Sequence, residues 1–196
     1  MKQRTEEWFR ARLGKVTASR IVDVMAKGQG VTRKKYMIEL LVERLTGKHT
    51  ESYINEAMQW GIDEEPMAVA EYEFFTEAMV DAVGFIDHPS IGMSGASPDG
   101  LVGKDGLIEI KCPTTATHID TILGSKIPRK YLLQMTWQMA CTGRAWCDFA
   151  SYDSRMPSQH QLFINRVEWH DGLVAELEDG VKTFLEELDA LETKLK

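Results

Sequence analysis

Asp99, Glu109 and Lys111 lie within the stretch SPDGLVGKDGLIEIKCP, with nine residues between the first two and one between the last two. In a strand, alternate side chains share a face, so Leu107, Glu109 and Lys111 point one way and Ile108 and Ile110 the other. Two carboxylates directed at one spot repel unless a cation lies between them, and hard oxygen ligands suit Mg²⁺ or Mn²⁺. A lysine beside such an ion orients or helps to deprotonate water and stabilises charge on a phosphate. The spacing therefore points to metal-assisted hydrolysis of a phosphodiester. A structural ion pair and a solvated strand face are the competing readings. Against them, a buried ion pair seldom improves on apolar packing, and Pro98 and Gly100 brace Asp99 as a turn would.

The elements that must position these residues follow from periodicity and punctuation. TEEWFRARLG reads as a helix capped by Thr5 and stopped at Gly14, and TASRIVDVMAKG as a second, capped by Thr17 or Ser19 and ended by Gly28. A third runs from Thr32 to Gly47, with Arg33, Lys34 and Lys35 at its start. NEAMQWGIDEEPMAVAEYEFFTEA is helical in pattern, and Pro66 predicts a kink or break near Glu65. MVDAVGFID, IGMSGAS and GLIEIKC read as strands, and YLLQMTWQMACTG as a helix packed on the sheet. AWCDFASYD and QLFINRVEW supply two more strands. Leu173, Leu177, Val181, Phe184, Leu188, Leu191 and Leu195 mark a long amphipathic helix. We expect one α/β domain over residues 1–196: N-terminal helices over 1–53, a catalytic core over 54–169 and an acidic helix over 170–196.

The net charge of −7 argues against a protein that coats nucleic acid by bulk positive charge. Its distribution changes that conclusion. Residues 170–196 hold eight acids and three bases, leaving 22 acids and 20 bases in the body. The charged start predicts no signal peptide, and no apolar run approaches the roughly 20 residues that span a bilayer, so a cytoplasmic location without membrane contact is expected. Cys112, Cys141 and Cys147 lack zinc or cluster spacing and read as reduced, buried residues.

SPDGLVGKDGLIEIKCP resembles the core of the restriction-endonuclease-like nucleases: Pro-Asp, a spacer, then Asp or Glu, any residue, Lys. More closely, the chain is similar to the phage lambda exonuclease and YqaJ viral recombinase family. WFRARLGKVTAS, WGIDEEP and YLLQMTWQMACTG followed by ASYDSRM fall in that family's order, over roughly residues 6–156. The resemblance implies a central mixed β-sheet flanked by helices. Asp99, Glu109 and the Ile110 carbonyl would be metal ligands, Lys111 the catalytic lysine, and Gln134 a neighbour of the metal site. Glu65 would bring a third carboxylate, with Glu64 as the alternative. Arg12 would grip a terminal 5′ phosphate, helped by Thr17 and Ser19. Two Mg²⁺ ions, with Mn²⁺ as a substitute, would clamp the attacking and leaving oxygens.

The implied activity is 5′-to-3′ digestion of one strand of linear double-stranded DNA by a toroidal homotrimer, leaving 3′ overhangs for recombination with a single-strand annealing protein. In that arrangement Arg33, Lys34 and Lys35 would line a channel, and the acidic helix would repel DNA or dock the partner. An endonuclease of the same fold, a strand-specific nuclease of the type that carries an iron–sulfur cluster, and an inactive DNA-end binding protein are the alternatives. The cysteine spacing argues against the cluster, and the intact Asp99, Glu109 and Lys111 argue against inactivity. His49, His88, His118, His160 and His170 show no paired spacing. Trp8, Trp60, Trp137, Trp146 and Trp169 read as core, with Trp60 and its apolar neighbours also placed to wedge a base pair.

Overall fold

The computed structural model describes residues 1–26, 31–50 and 55–195. Gly28 and the boundary expected at residues 53 and 54 lie outside the described residues. The chain opens with α1 (Glu6–Arg12), whose first turn is capped because the Thr5 side chain accepts the Trp8 N–H. β1 (Val16–Thr17) leads through a single 3₁₀ turn at Ala18–Arg20 into α2 (Ile21–Val24) and then α3 (Val31–Thr46). Thr17 occupies the N-cap of that turn, but its side chain makes no capping bond.

α4 (Glu56–Thr76) is capped by Asn55 and runs unbroken through Pro66, against the expected kink. Pro66 is exposed, so the carbonyl it leaves unpaired can turn to solvent. The expected single strand over MVDAVGFID is two short strands, β2 (Val80–Asp81) and β3 (Ile86–Asp87), which join different sheets. β4 (Ser94–Ala96), β5 (Gly100–Val102) and β6 (Gly106–Lys111) follow, then α5 (Thr115–Gly124), α6 (Arg129–Thr142), β7 (Trp146–Tyr152), β8 (Leu162–Glu168) and α7 (Asp171–Leu195).

A five-stranded sheet has the order β2-β5-β6-β7-β8, and β1-β4-β3 form a smaller one. β6 and β7 are parallel while their outer neighbours are antiparallel, which requires the α5–α6 crossover between them. β6 is the middle strand. Its Ile108 and Ile110 pack with Ala68 and Tyr72 of α4, and its Leu107 packs with Met135 and Met139 of α6. A third cluster joins α2, α3, α6 and α7 through Ile21, Leu40, Trp137, Leu177 and Phe184. Each such side chain contributes about 1.5–3 kcal/mol when fully buried. The helical stripe read over α7 is the inward face: Leu177, Val181, Phe184 and Leu188 have no exposed surface.

Polar anchors fix the remaining register. Asp148 on β7 is 2% exposed; it accepts two bonds from Arg166 of β8, at 2.7 and 2.9 Å, and one from the Tyr72 hydroxyl at 2.8 Å. His88 is buried and stacks on Trp137. Its Nδ1 accepts backbone N–H bonds from Ser90 and Ile91 at 3.3 and 3.1 Å, while Nε2 faces Glu178 of α7, where Lys182 is also near. Burial outweighs Glu178 and holds the imidazole below its ordinary value of 6.5.

Two stability predictions follow from these anchors. Tyr72→Phe should cost about 1 kcal/mol, and Asp148→Ala about 2 kcal/mol or more because it strips both partners of their acceptor. The urea midpoint measures both, and equal effects would contradict the shared-acceptor arrangement. His88 contributes stability that is present above pH 6.5 and lost as pH falls through its lowered folded value. Thermal unfolding between about pH 8 and 5 should show that loss, and His88→Asn, which keeps an acceptor but does not titrate, should flatten it.

Candidate active site

Glu109 sits in the middle of the central strand with 1% of its surface exposed. Its Oε1 accepts from Lys111 Nζ and from Gln134 Nε2 at 2.6 Å, and its Oε2 from Gln138 Nε2 at 2.6 Å. Three donors occupy three of the roughly four lone-pair positions of a carboxylate, so one remains. Gln134 and Gln138 are four apart on α6 and therefore share the helix face that covers the sheet. Lys111 is on the same strand face as Glu109, as the alternation requires, with Nζ 5.2 Å from the centre of the Tyr131 ring. Burial opposes its charge, but Glu109 and Asp99 outweigh that and hold the ammonium above its ordinary value.

Asp99 enters from the strand edge. β5 pairs with β6 only from Gly100 opposite Ile108, and beyond that point the Ile110 N–H donates to Asp99 Oδ2 at 2.7 Å. The N–H and C=O of one strand residue face the same edge, so the Ile110 carbonyl also faces the site. Continuing the register would set Pro98 opposite it, and proline has no N–H to donate. A side chain at Gly100 would collide with Val80 of β2, which keeps this edge narrow. Burial and then Glu109 push the Asp99 carboxyl well above the usual carboxylate range.

The two acids of WGIDEEP face different surroundings. Glu65 is close enough to Asp99 to raise its pKa, and its Oε2 is held by Arg4 at 2.7 Å. Glu64 has a buried Oε2 with no hydrogen-bond partner among the described residues. It lies beside Cys112, whose thiol is pushed up to about 12 by burial and by Glu64. The thiol reading holds: all three cysteines are free and buried.

The donor set suits a hard divalent cation. Glu109 lies close enough to Asp99 to raise its pKa, and Asp99 sits at the edge that the Ile110 carbonyl faces, so oxygen donors of both acids and of the backbone adjoin one another. Among the described residues no group of three or more His, Cys, Asp or Glu side chains forms a metal cage. Mg²⁺ does not need one, because it is commonly held by one or two carboxylates, waters and substrate phosphate.

On the far side of the SPDG turn, the Arg12 guanidinium lies 4.0 Å from the Trp8 ring centre and donates to the Ser97 hydroxyl at 3.3 Å. No carboxylate lies at ion-pair distance among the described residues, although Glu43 is near enough to favour its charge; burial outweighs that and lowers its pKa to about 10. Thr17 and Ser19 do not contact it directly. Their hydroxyls are 3.5 Å apart, and the Thr17 N–H donates to Tyr36 OH, which itself lies near Arg12.

Several residues around the site escaped sequence reasoning. Gln138 had a signal, its spacing of four from Gln134, whereas Ser97, Arg4 and Tyr131 had none. Arg33, read with Lys34 and Lys35 as a channel lining, pairs with Glu187 of α7 at 2.6 and 2.9 Å. One expectation is corrected. The tryptophans are not uniformly core: Trp137 is fully buried, but Trp169 is 37% exposed where its N–H reaches Asp171.

Comparison with known proteins places this geometry. The family model of the YqaJ-like viral recombinase domain matches residues 7–145. An alkaline exonuclease from Laribacter hongkongensis is 56% identical, with a TM-score of 0.93 over 97% of this chain and 96% of that one. The same enzyme in complex with dAMP gives a TM-score of 0.94 over 98% of this chain and 96% of that one. A phage-related exonuclease from Haemophilus somnus is 15% identical over 93% of this chain and 96% of that one, with a TM-score of 0.76, a likeness of fold. An uncharacterized protein of Acanthamoeba polyphaga mimivirus, R354, is 26% identical over 75% of this chain, which spans only 28% of its length. The mixed sheet flanked by helices is the restriction-endonuclease-like fold, and the chain belongs to the YqaJ-like viral recombinase domain family.

Proposed function

We propose that this chain is a Mg²⁺-dependent exonuclease that digests one strand of linear double-stranded DNA from a 5′-phosphorylated end. The observation that carries the reading is buried Glu109 and half-buried Asp99 beside Lys111, across the SPDG turn from Arg12, an arginine with no carboxylate at ion-pair distance among the described residues. The relative that is 56% identical is an alkaline exonuclease, which supports the same activity class here.

Asp99, Glu109 and the Ile110 carbonyl would hold the metal, with Glu65 in reach if it leaves Arg4. The bound metal, as one or two ions, supplies Lewis-acid activation of water and neutralises the phosphate. Lys111 places a positive charge where the phosphate oxygens gain negative charge, and Glu109 holds that ammonium in position. Gln134 and Gln138 keep the Glu109 carboxylate from rotating. Arg12 and Ser97 hold a terminal phosphate, with Thr17 and Ser19 as further donors, so the strand is consumed from the 5′ end. A ring-shaped homotrimer and a single-strand annealing partner belong to the same proposal.

Digestion of linear duplex labelled at one 5′ or 3′ end, beside a closed circle, tests the reading. Mg²⁺-dependent loss from the 5′ end with the circle intact is expected; cleavage of the circle would make it an endonuclease, and binding without cutting an end-binding protein. Lys111→Ala should lower kcat by about 10²–10³ and Gln138→Ala by about 10–100-fold, with binding of ends retained. Wild-type rates in either would remove that residue from the mechanism. Arg12→Ala should erase the preference for phosphorylated over hydroxyl 5′ ends, measured as a ratio of initial rates; an unchanged ratio would refute the phosphate assignment.

A further inference from the structure

Lys126, Arg129 and Lys130, clustered around the start of α6, are a second group of cations without an ion-pair partner among the described residues, and Lys130 adjoins the site. Between Glu109 and Asp148 the sequence carries a single acid, Asp120, against five cations. Two of these are engaged: Lys111 by Glu109, and Arg144 by the carbonyls of Val102, Gly103 and Gly106. The other three are exposed, and none has an ion-pair partner among the described residues. Elsewhere arginines with a nearby acid use it, as Arg20, Arg33, Arg44 and Arg166 do.

Their position is unfavourable for the fold. Arg129 and Lys130 open the 14-residue α6, whose first turn contains no acid, and the helix dipole works against positive charge there. A placement that opposes the dipole and gains no internal partner points to an external anion. The cluster also adjoins the acid pair. Lys130 Nζ is 4.6 Å and Lys111 Nζ 5.2 Å from the centre of the same Tyr131 ring. One turn further along, Gln134 holds Glu109.

Arg12 meets the site through Ser97, two residues before Asp99. We propose that the backbone of one DNA strand crosses from Arg12, past Asp99 and Glu109, onto Lys126, Arg129 and Lys130, which hold the phosphates 3′ of the bond being cut. The inference rests on the nuclease reading above. Arg12 takes the terminal nucleotide that leaves, whereas the cluster takes the polymer that remains. Contacts of this kind grip phosphate without reading sequence.

The test compares wild type with the triple variant Lys126→Ala, Arg129→Ala, Lys130→Ala and with a charge-matched control, Lys48→Ala, Lys104→Ala, Lys194→Ala. Binding of a fluorescent 5′-phosphorylated duplex is titrated in EDTA from about 50 to 200 mM salt, where each phosphate contact contributes about 0.9 to the slope of log affinity against log salt. The cluster variant should lose about 2–3 from that slope and bind at least about tenfold more weakly at 150 mM salt, while the control keeps the wild-type slope. An unchanged slope, or an equal loss in the control, would overturn the proposal.

A duplex with neutral methylphosphonate linkages just 3′ of the first phosphodiester of the cleaved strand should abolish the difference between wild type and cluster variant. A difference that persists moves the contact elsewhere and also overturns the assignment. Digestion in Mg²⁺, run alongside, separates the two readings. Wild type that cuts while the slope stays unmoved loses only the cluster, whereas wild type that cuts nothing loses the nuclease reading on which the cluster's role depends.

Discussion

A negative charge buried in the middle of a sheet is the constraint around which this molecule is arranged. Glu109 has almost no contact with water, and an unpaired carboxylate in that position costs several kcal/mol. The fold meets the cost with three donors, one from the same strand and two from α6. Those glutamines reach Glu109 only because α6 lies across that face of the sheet, which the parallel β6–β7 pairing makes topologically necessary. Connectivity, helix register and site chemistry are thus one requirement.

The second acid is positioned by a different device. Asp99 is not on the face of β6 but at the point where β5 stops, and the backbone N–H of Ile110 holds it. N-terminal residues fasten that turn: Gln3 donates to the Pro98 carbonyl at 2.7 Å and the Trp8 indole to the Ser97 hydroxyl at 2.9 Å. The same residues that fix Asp99 therefore position Arg12, which shares Ser97 with Trp8. Movement of the N-terminal helix would therefore shift Arg12 and the turn that carries Asp99 together.

What sequence could reveal follows from the range of each signal. Glu109 and Lys111 were legible because alternation in a strand depends only on neighbouring residues. Gln138 was not, because its spacing from Gln134 acquires meaning only when the face of α6 that meets β6 is known. β1, β2 and β5 are two or three residues long; their pairing is decided by distant strands rather than by local propensity. Pro66 misled for a related reason. The rule concerns a lost hydrogen bond, and it loses force at an exposed position such as Pro66, where the freed carbonyl can turn to solvent. Glu64 and Glu65 look equivalent in sequence, yet one residue of helical rotation, about 100°, sends the first toward Cys112 and the second toward Asp99 and Arg4.

Net charge is the least informative of the sequence quantities, and the structure shows why. Much of the acidity of α7 is spent within the fold, since Glu187 and Asp189 pair with Arg33 and Arg44 of α3. Cations near those acids are paired within the fold, whereas Lys126, Arg129 and Lys130 have no ion-pair partner among the described residues. At physiological salt the Debye length is about 8 Å, so exposed acids farther away than that barely reach a bound phosphate. A polyanion meets the local field of the site, and a chain with a formal charge of −7 can therefore still present local positive charge beside its acid pair.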